Sequence, residues 1–89
     1  MKIAVTQELR DLFARILAEN KTESEWAEME SDDMFQSDHY RGGFDATEMA
    51  FCFSFFDGDG VELWFQLRLE EVREYATHGK AEIDARLAG

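Results

Sequence analysis

Three things are scarce in this sequence, which has one cysteine, few basic residues and no long apolar run. The single cysteine, Cys52, excludes an internal disulfide and favours a reducing compartment. No apolar stretch approaches the length of a membrane span, and no basic segment followed by an apolar one opens the chain. We therefore expect a cytoplasmic protein, and its simplicity favours a bacterial or phage origin.

Basic residues number nine against twenty acidic ones, which gives a formal net charge of −11. Direct binding to a phosphate backbone needs clustered lysines and arginines, so we expect no direct contact with nucleic acid. The acidity either keeps a small protein soluble, which is the commoner reason, or guides a basic partner. A chain of 89 residues with 45% hydrophobic content is expected to form one small acidic domain over 1–89.

Signatures of catalysis, nucleotide binding and metal binding are missing as well. The DGDG at 57–60 lacks the later ligands of an EF-hand loop, and Gly42-Gly43 has no phosphate-loop spacing and predicts a turn. Cys52 has no adjacent cation to activate it as a nucleophile. We therefore expect a protein that is not an enzyme and has no cofactor. The alternative is a small metal-binding or enzymatic domain centred on His39 and the nearby Asp32, Asp33 and Asp38.

A β-hairpin over 47–69 is the clearest pattern in the chain and holds half of its aromatic residues. The odd positions of both arms form one apolar face: Met49, Phe51, Phe53, Phe55, Val61, Leu63, Phe65, Leu67 and Leu69. Turn chemistry favours the register that pairs Phe53 with Phe65. This register puts Asp57 first in a type I turn and Gly60 in the left-handed region.

The even positions of the hairpin form a mixed face centred on Trp64, with Ala50, Cys52, Phe56 and Gln66. We expect the irregular 32–45 segment to cover this face, because tryptophan is too large to leave exposed without reason. The alternative is an open face that serves a partner or a homodimer.

Helical periodicity predicts an amphipathic first helix over 7–20. Its apolar stripe is Leu9, Leu12, Phe13, Ile16 and Leu17. Thr6 is a suitable N-cap, and Asn20 can end the helix in the left-handed conformation. We expect the stripe to pack on the odd face of the hairpin.

A second short helix is expected to begin near Glu23, because Thr22 and Glu25 fit a capping box. Trp26 and Met29 should be its inward pair, and the helix should stop near residues 30–31.

The rest of the chain gives weaker patterns. Residues 2–5 are either a short edge strand or a frayed lead-in, and 32–45 has no sustained period and is a strand or a loop. A third strand would lie within 35–40 or 44–47. Val72, Tyr75 and Ala76 predict the inner face of a helix that stops at His78-Gly79, and a last helical turn or two is expected over 81–87.

The predicted fold class is therefore α+β. It has an antiparallel two- or three-stranded sheet built on the 47–69 hairpin. An N-terminal amphipathic helix packs on one face of that sheet, and C-terminal helices lie beside it.

The acidic run over 19–38 is the most unusual feature, with eight carboxylates against one base, Lys21. Trp26, Met29, Met34 and Phe35 are interleaved in it, which is typical either of a binding hot spot or of a helix with a buried side. We expect an interaction or inhibitor protein, of the immunity, antitoxin or phage-inhibitor kind, that docks a basic protein partner. The expected contact residues are Glu25, Glu28, Glu30, Asp32, Asp33, Met34, Phe35 and Trp64. The alternative is a nucleic-acid mimic that blocks a nucleic-acid-binding protein.

Overall fold

The computed structural model describes residues 1–29, 34–56 and 60–87. In chain order its elements are β1 (Lys2–Ala4), α1 (Gln7–Ala18), α2 (Glu23–Glu28), β2 (Phe35–Gln36), β3 (Tyr40–Asp45), β4 (Ala50–Phe56), β5 (Glu62–Leu67), α3 (Leu69–His78), β6 (Glu82–Asp84) and β7 (Arg86–Leu87). Strands β2-β3-β4-β5-β7 form one antiparallel sheet, and β1 pairs with β6 in a second. The predicted α+β class is confirmed. The sheet built on the hairpin has five strands, which is more than the two or three that we predicted.

Strands β4 and β5 form the predicted hairpin in the predicted register, with Phe53 opposite Phe65. Gly60 has a φ of 80°, in the left-handed region where glycine is least strained. Asp57, the expected first residue of the turn, lies outside the described residues. Phe51, Phe53 and Phe65 are at most 1% exposed, so the odd positions within the two strands form the core face of the sheet. The predicted face was too long, because Met49 and Val61 lie outside the strands, Val61 is 38% exposed, and Leu69 belongs to α3.

Strand β3 contains Gly42 and Gly43, which were expected in a turn. Gly42 lies on the core face, in register with Phe53 and between the buried Tyr40 and Phe44. A Cβ at Gly42 would overlap the backbone carbonyl oxygen of Cys52 and lie 2.9 Å from the Cα of Phe53. The turn prediction was wrong, because this glycine lies within a strand and allows the backbones of β3 and β4 to approach closely.

Helix α1 begins as predicted, with the Thr6 hydroxyl accepting a hydrogen bond from the backbone N–H of Leu9 at 3.3 Å. It ends at Ala18, and Asn20 follows with a φ of 52°. The stripe side chains Leu9, Leu12, Phe13 and Ile16 are buried, and Phe13 meets Tyr75 of α3 with ring centroids 5.7 Å apart. Packing of α1 across the hairpin itself stays a prediction.

Helix α2 has the predicted capping box, since Thr22 and Glu25 exchange side-chain to backbone hydrogen bonds of 3.1 and 3.2 Å. Trp26 is 1% exposed, as expected of its inward side. Met29 is 44% exposed, so its assignment to the inward pair was wrong. The helix ends at Glu28. Met29 is its C-cap and has left the helical conformation, so its side chain does not lie on the same face as Trp26.

The C-terminal segment departs most from expectation. Helix α3 ends at His78, with Gly79 in the left-handed conformation as predicted, but Ala76 is exposed. The helical turns expected over 81–87 are the strands β6 and β7. Ile83 of β6 pairs with Ile3 of β1, so the first residues of the chain supply the strand partner. In the described residues, no helix has the length and apolar composition needed to cross a membrane.

An ion pair joins the two strands of the smaller sheet, and it makes stability depend on pH. The Lys2 ammonium donates to the Asp84 carboxylate at 2.9 Å, and this hydrogen bond, together with the lysine charge, lowers the pKa of Asp84. A carboxylate with a lowered pKa in the folded state stabilises above its unfolded pKa, about 3.9, and loses this effect as pH falls through the folded value.

Asp84→Asn should therefore lower the urea midpoint at pH 7 relative to Glu48→Gln, which removes one exposed negative charge elsewhere. The effect should be small because both partners are solvent-exposed. The difference between the two variants should shrink as the pH falls below the unfolded pKa of about 3.9. A gap that is unchanged or wider in acid would contradict this pairing.

Candidate interaction surfaces

A shallow groove of about 380 Å³ runs between α1, α2 and β2. It is lined by Arg15, Ala18, Glu19, Trp26, Met29, Met34 and Phe35, and we call it the methionine groove. Met29 is exposed and Met34 is partly exposed, whereas Phe35 is 7% exposed. Unbranched, polarisable methionine side chains adapt to varied partner shapes, so such a groove suits protein recognition.

Trp26 holds the short helix α2 against the core and so shapes one wall of the groove. Its ring lies 5.2 Å from that of Phe51 in an edge-to-face arrangement and 6.0 Å from that of Phe35. Its Nε1 is buried, and no atom of the described residues accepts a hydrogen bond from it. α2 has only six residues and one buried side chain, so its position depends on this tryptophan.

Charges of both signs surround the methionine groove. Glu25 and Glu28 are exposed on α2, while two cations lie on aromatic rings: Arg15 is 5.3 Å from the Phe35 centroid and Lys21 is 5.2 Å from that of Trp26. Lys21 also pairs with Glu19 at 3.0 Å. A basic partner would therefore meet carboxylates on α2, and cations together with Glu19 where α1 and the segment before α2 border the groove.

The loop between β2 and β3 is tied to the start of α1 through Glu8. The Glu8 carboxylate accepts from the Ser37 hydroxyl at 3.1 Å and lies 3.2 Å from Nδ1 of His39. Among the described residues, no three histidine, cysteine, aspartate or glutamate side chains are grouped to hold a metal ion. His39 of the alternative metal site thus has a partner on α1, while Asp32 and Asp33 lie outside the described ranges.

The opposite side of the five-stranded sheet presents a second surface, which we call the outer sheet face. The register places Arg41, Ser54, Trp64 and Arg86 in one row across four strands. The Arg86 guanidinium lies 4.6 Å from the Trp64 ring centroid. The next row is Gly43, Cys52 and Gln66. Ser54, Trp64, Cys52 and Gln66 are all partly exposed, unlike the core face behind them.

We expected the 32–45 segment to cover Trp64, but the described part of this segment does not. Its main part, β3, lies beside β4 in the plane of the sheet, because Tyr40 and Phe44 reach the core face from there. The outer sheet face instead forms a broad concavity of about 590 Å³ that includes Trp64, Gln66 and Cys52. The alternative interpretation, an open face, is the one that agrees with the described residues.

The expected contact residues therefore do not form one surface. Met34 and Phe35 line the methionine groove, whereas Glu25 and Glu28 lie on α2, which contributes Trp26 to the groove, and are not among its lining residues. Phe35 packs into the core rather than standing free, so at most its edge is available. Trp64 points to the other side of the sheet. Glu30, Asp32 and Asp33 lie outside the described residues.

Sequence patterns missed Arg15 and Ala18, which line the groove from α1, and the two arginines in the row of Trp64. Arg41 and Arg86 are 45 positions apart and share one row only through strand pairing. No local signal in the sequence could have grouped them. Comparison of the chain with protein-family models, with curated proteins and with solved structures finds no match.

Proposed function

We propose that this protein is a non-enzymatic interaction protein that docks a basic protein partner in the methionine groove. The observation that carries the proposal is the exposed Met29, beside the partly exposed Met34 and the carboxylates of Glu25 and Glu28. An exposed apolar anchor next to charges of one sign is the arrangement expected of a small recognition site.

The net charge of −11 supports the first step, which is steering. An acidic protein attracts a basic partner over about 8–10 Å at physiological salt and speeds the encounter. The second step is docking, in which an apolar side chain of the partner would displace water from Met29 and Met34. Charge would then set the association rate, and the methionines would set the lifetime of the complex.

The proposal takes α1 as lying across the core face of the sheet, so that Ala18 and Arg15 form the far wall of the groove. The position of the Arg15 guanidinium over the Phe35 ring supports this arrangement. We place the protein in the cytoplasm, because a single cysteine cannot form an internal disulfide and suits a reducing compartment. Its action would be inhibitory or neutralising, through occupation of a basic site on the partner.

A paired charge change tests the proposal. Glu25→Gln with Glu28→Lys keeps the capping box, since glutamine also serves there, while it removes the α2 charge. We expect the Kd for a partner recovered by affinity capture to rise at least tenfold, about 1.4 kcal/mol. Glu70→Gln with Glu82→Lys makes the same charge change at exposed sites on α3 and β6 and should leave binding near wild type.

Salt and an apolar variant complete the test. Binding should weaken steadily as sodium chloride is raised, and Met29→Ser should shorten the lifetime of the complex with little effect on the association rate. Salt-independent binding, or equal losses in the two charge variants, would refute the proposal. A captured partner that binds nucleic acid, and that nucleic acid displaces from this protein, would support mimicry instead.

A further inference from the structure

The outer sheet face carries charges of both signs in nearly equal number. Two arginines, Arg41 and Arg86, are set against Asp45, Glu48 and Glu62 on or beside this face, whereas the whole chain carries −11. A second copy of the chain would be repelled by most of the surface, but not strongly by this face.

We propose that the outer sheet face is the site at which two copies of this chain form a symmetric dimer. In a two-fold arrangement each patch meets its own duplicate, so one face must carry both signs of charge and an apolar centre. The arginine row and the carboxylates supply the two signs, and Trp64 supplies the centre. Sheets stack face to face at about 10 Å, a spacing that two layers of such side chains fill.

The shape of the face also suits a partner with a projecting side chain. Gly43 has no side chain, and Cys52 and Ser54 are small, so the surface beside the larger Trp64 is low. The Trp64 of one copy can lie against the low region formed by Gly43 and Cys52 of the other. Arg86, stacked on Trp64 at 4.6 Å, holds the indole in place before the copies meet.

The area predicts a weak dimer. Three strands of six or seven residues, β3 to β5, form a strip about 14 Å wide and about 20 Å long, and β7 adds only two residues, which gives roughly 300 Å² per copy. Such an interface is smaller than those of most specific complexes. We therefore expect dissociation in the micromolar range, with monomers at low concentration.

Salt separates this proposal from the proposed function. Two copies each carrying −11 repel one another, so added salt should strengthen the dimer. Docking of a basic partner in the methionine groove should weaken under the same conditions. The two surfaces lie on opposite sides of the sheet, so either can be altered while the other is kept.

The test is sedimentation velocity of the full chain from about 1 to about 500 µM, the range in which an interface of this size dissociates. Wild type should pass from monomer to dimer. Ser54→Glu places a carboxylate in the row beside Trp64 and should weaken the dimer at least tenfold. Ala14→Glu adds the same charge at an exposed position of α1 and should have little effect.

Ser54 lies in a central strand, so Ser54→Glu could fail to fold. A second pair of variants therefore tests the same interface independently. Arg86→Glu lies at the sheet edge and should also prevent association, whereas Arg73→Glu, exposed on α3, should not. Tryptophan emission should shift to shorter wavelength as wild type associates, and this shift should vanish in Trp64→Phe. Monomers throughout the range, or dimers equally strong in Ser54→Glu and Arg86→Glu, would overturn the proposal.

Discussion

Gly42→Ala is expected to destabilise the fold strongly, although it adds only one methyl group. The new Cβ would overlap the Cys52 carbonyl oxygen and lie 2.8–2.9 Å from two atoms of Phe53. Two of these three atoms are backbone, which cannot rotate away, so β3 and β4 would have to separate. Overpacking usually costs about 1–3 kcal/mol, and we expect the upper end or more here. The melting temperature should fall by about 12–24 °C, since 1 kcal/mol shifts a domain of this size by about 4–8 °C.

Gly79→Ala is the matched control for Gly42→Ala. Gly79 also occupies a position where alanine is disfavoured, with a φ of 64°, but no atom of the described residues lies within 4 Å of the place that a Cβ would take. Its cost is therefore backbone strain alone, about 1 kcal/mol. Thermal melts followed by circular dichroism compare the two variants. Equal losses would mean that the contact of Gly42 with β4 is looser than the structure shows.

Trp26→Ala should be the most damaging truncation of a side chain that shapes the methionine groove. Trp26 is 1% exposed and packs on Phe35 and Phe51, so its loss should cost about 3–5 kcal/mol. α2 has no other buried side chain to hold it, and we expect this helix to detach even under conditions in which the sheet persists. Urea denaturation gives the free energy, and protection of the α2 amides from hydrogen exchange reports the helix.

Trp26→Phe tests the same contact in a second way. Phenylalanine loses part of the indole area but also removes an N–H that is buried without an acceptor in the described residues, a cost of about 1–3 kcal/mol. The two effects oppose one another, so this variant should stay within about 1 kcal/mol of wild type. A loss as large as that of Trp26→Ala would mean that the indole N–H has a partner in the folded protein.

The two candidate surfaces are connected through these core positions. β3 brings Arg41 and Gly43 to the outer sheet face, and on its other side it carries Phe44 against the Phe51 that supports Trp26. A dimer formed through the outer sheet face would leave both methionine grooves pointing away from the interface. Such a dimer could engage two basic sites at once, which raises the apparent affinity without new contacts at either groove.

Local chemistry alone determined several elements of this protein. Thr6 begins α1, Thr22 and Glu25 begin α2, and Gly79 ends α3, because each cap depends on atoms within a few residues of it. The hairpin register followed from the alternation of apolar residues, which excludes a slip by one residue, together with the turn chemistry that favoured Phe53 opposite Phe65. These are short-range rules, and the sequence contains all the atoms that they involve.

Only the tertiary structure decided the features that join distant segments. Residues 81–87 have helical spacing but become strands, because β1 and β5 offer edges on which their backbone groups can pair. The sequence predicted a turn at Gly42, whereas in the structure this glycine lies in β3 and leaves room for the backbone of Cys52 and Phe53. The separation of Trp64 from Met34 and Phe35 onto opposite sides of one sheet has the same origin. Strand order determines which side chains are neighbours. It depends on the pairing energies between segments that are far apart in the chain, and local sequence patterns do not report these energies.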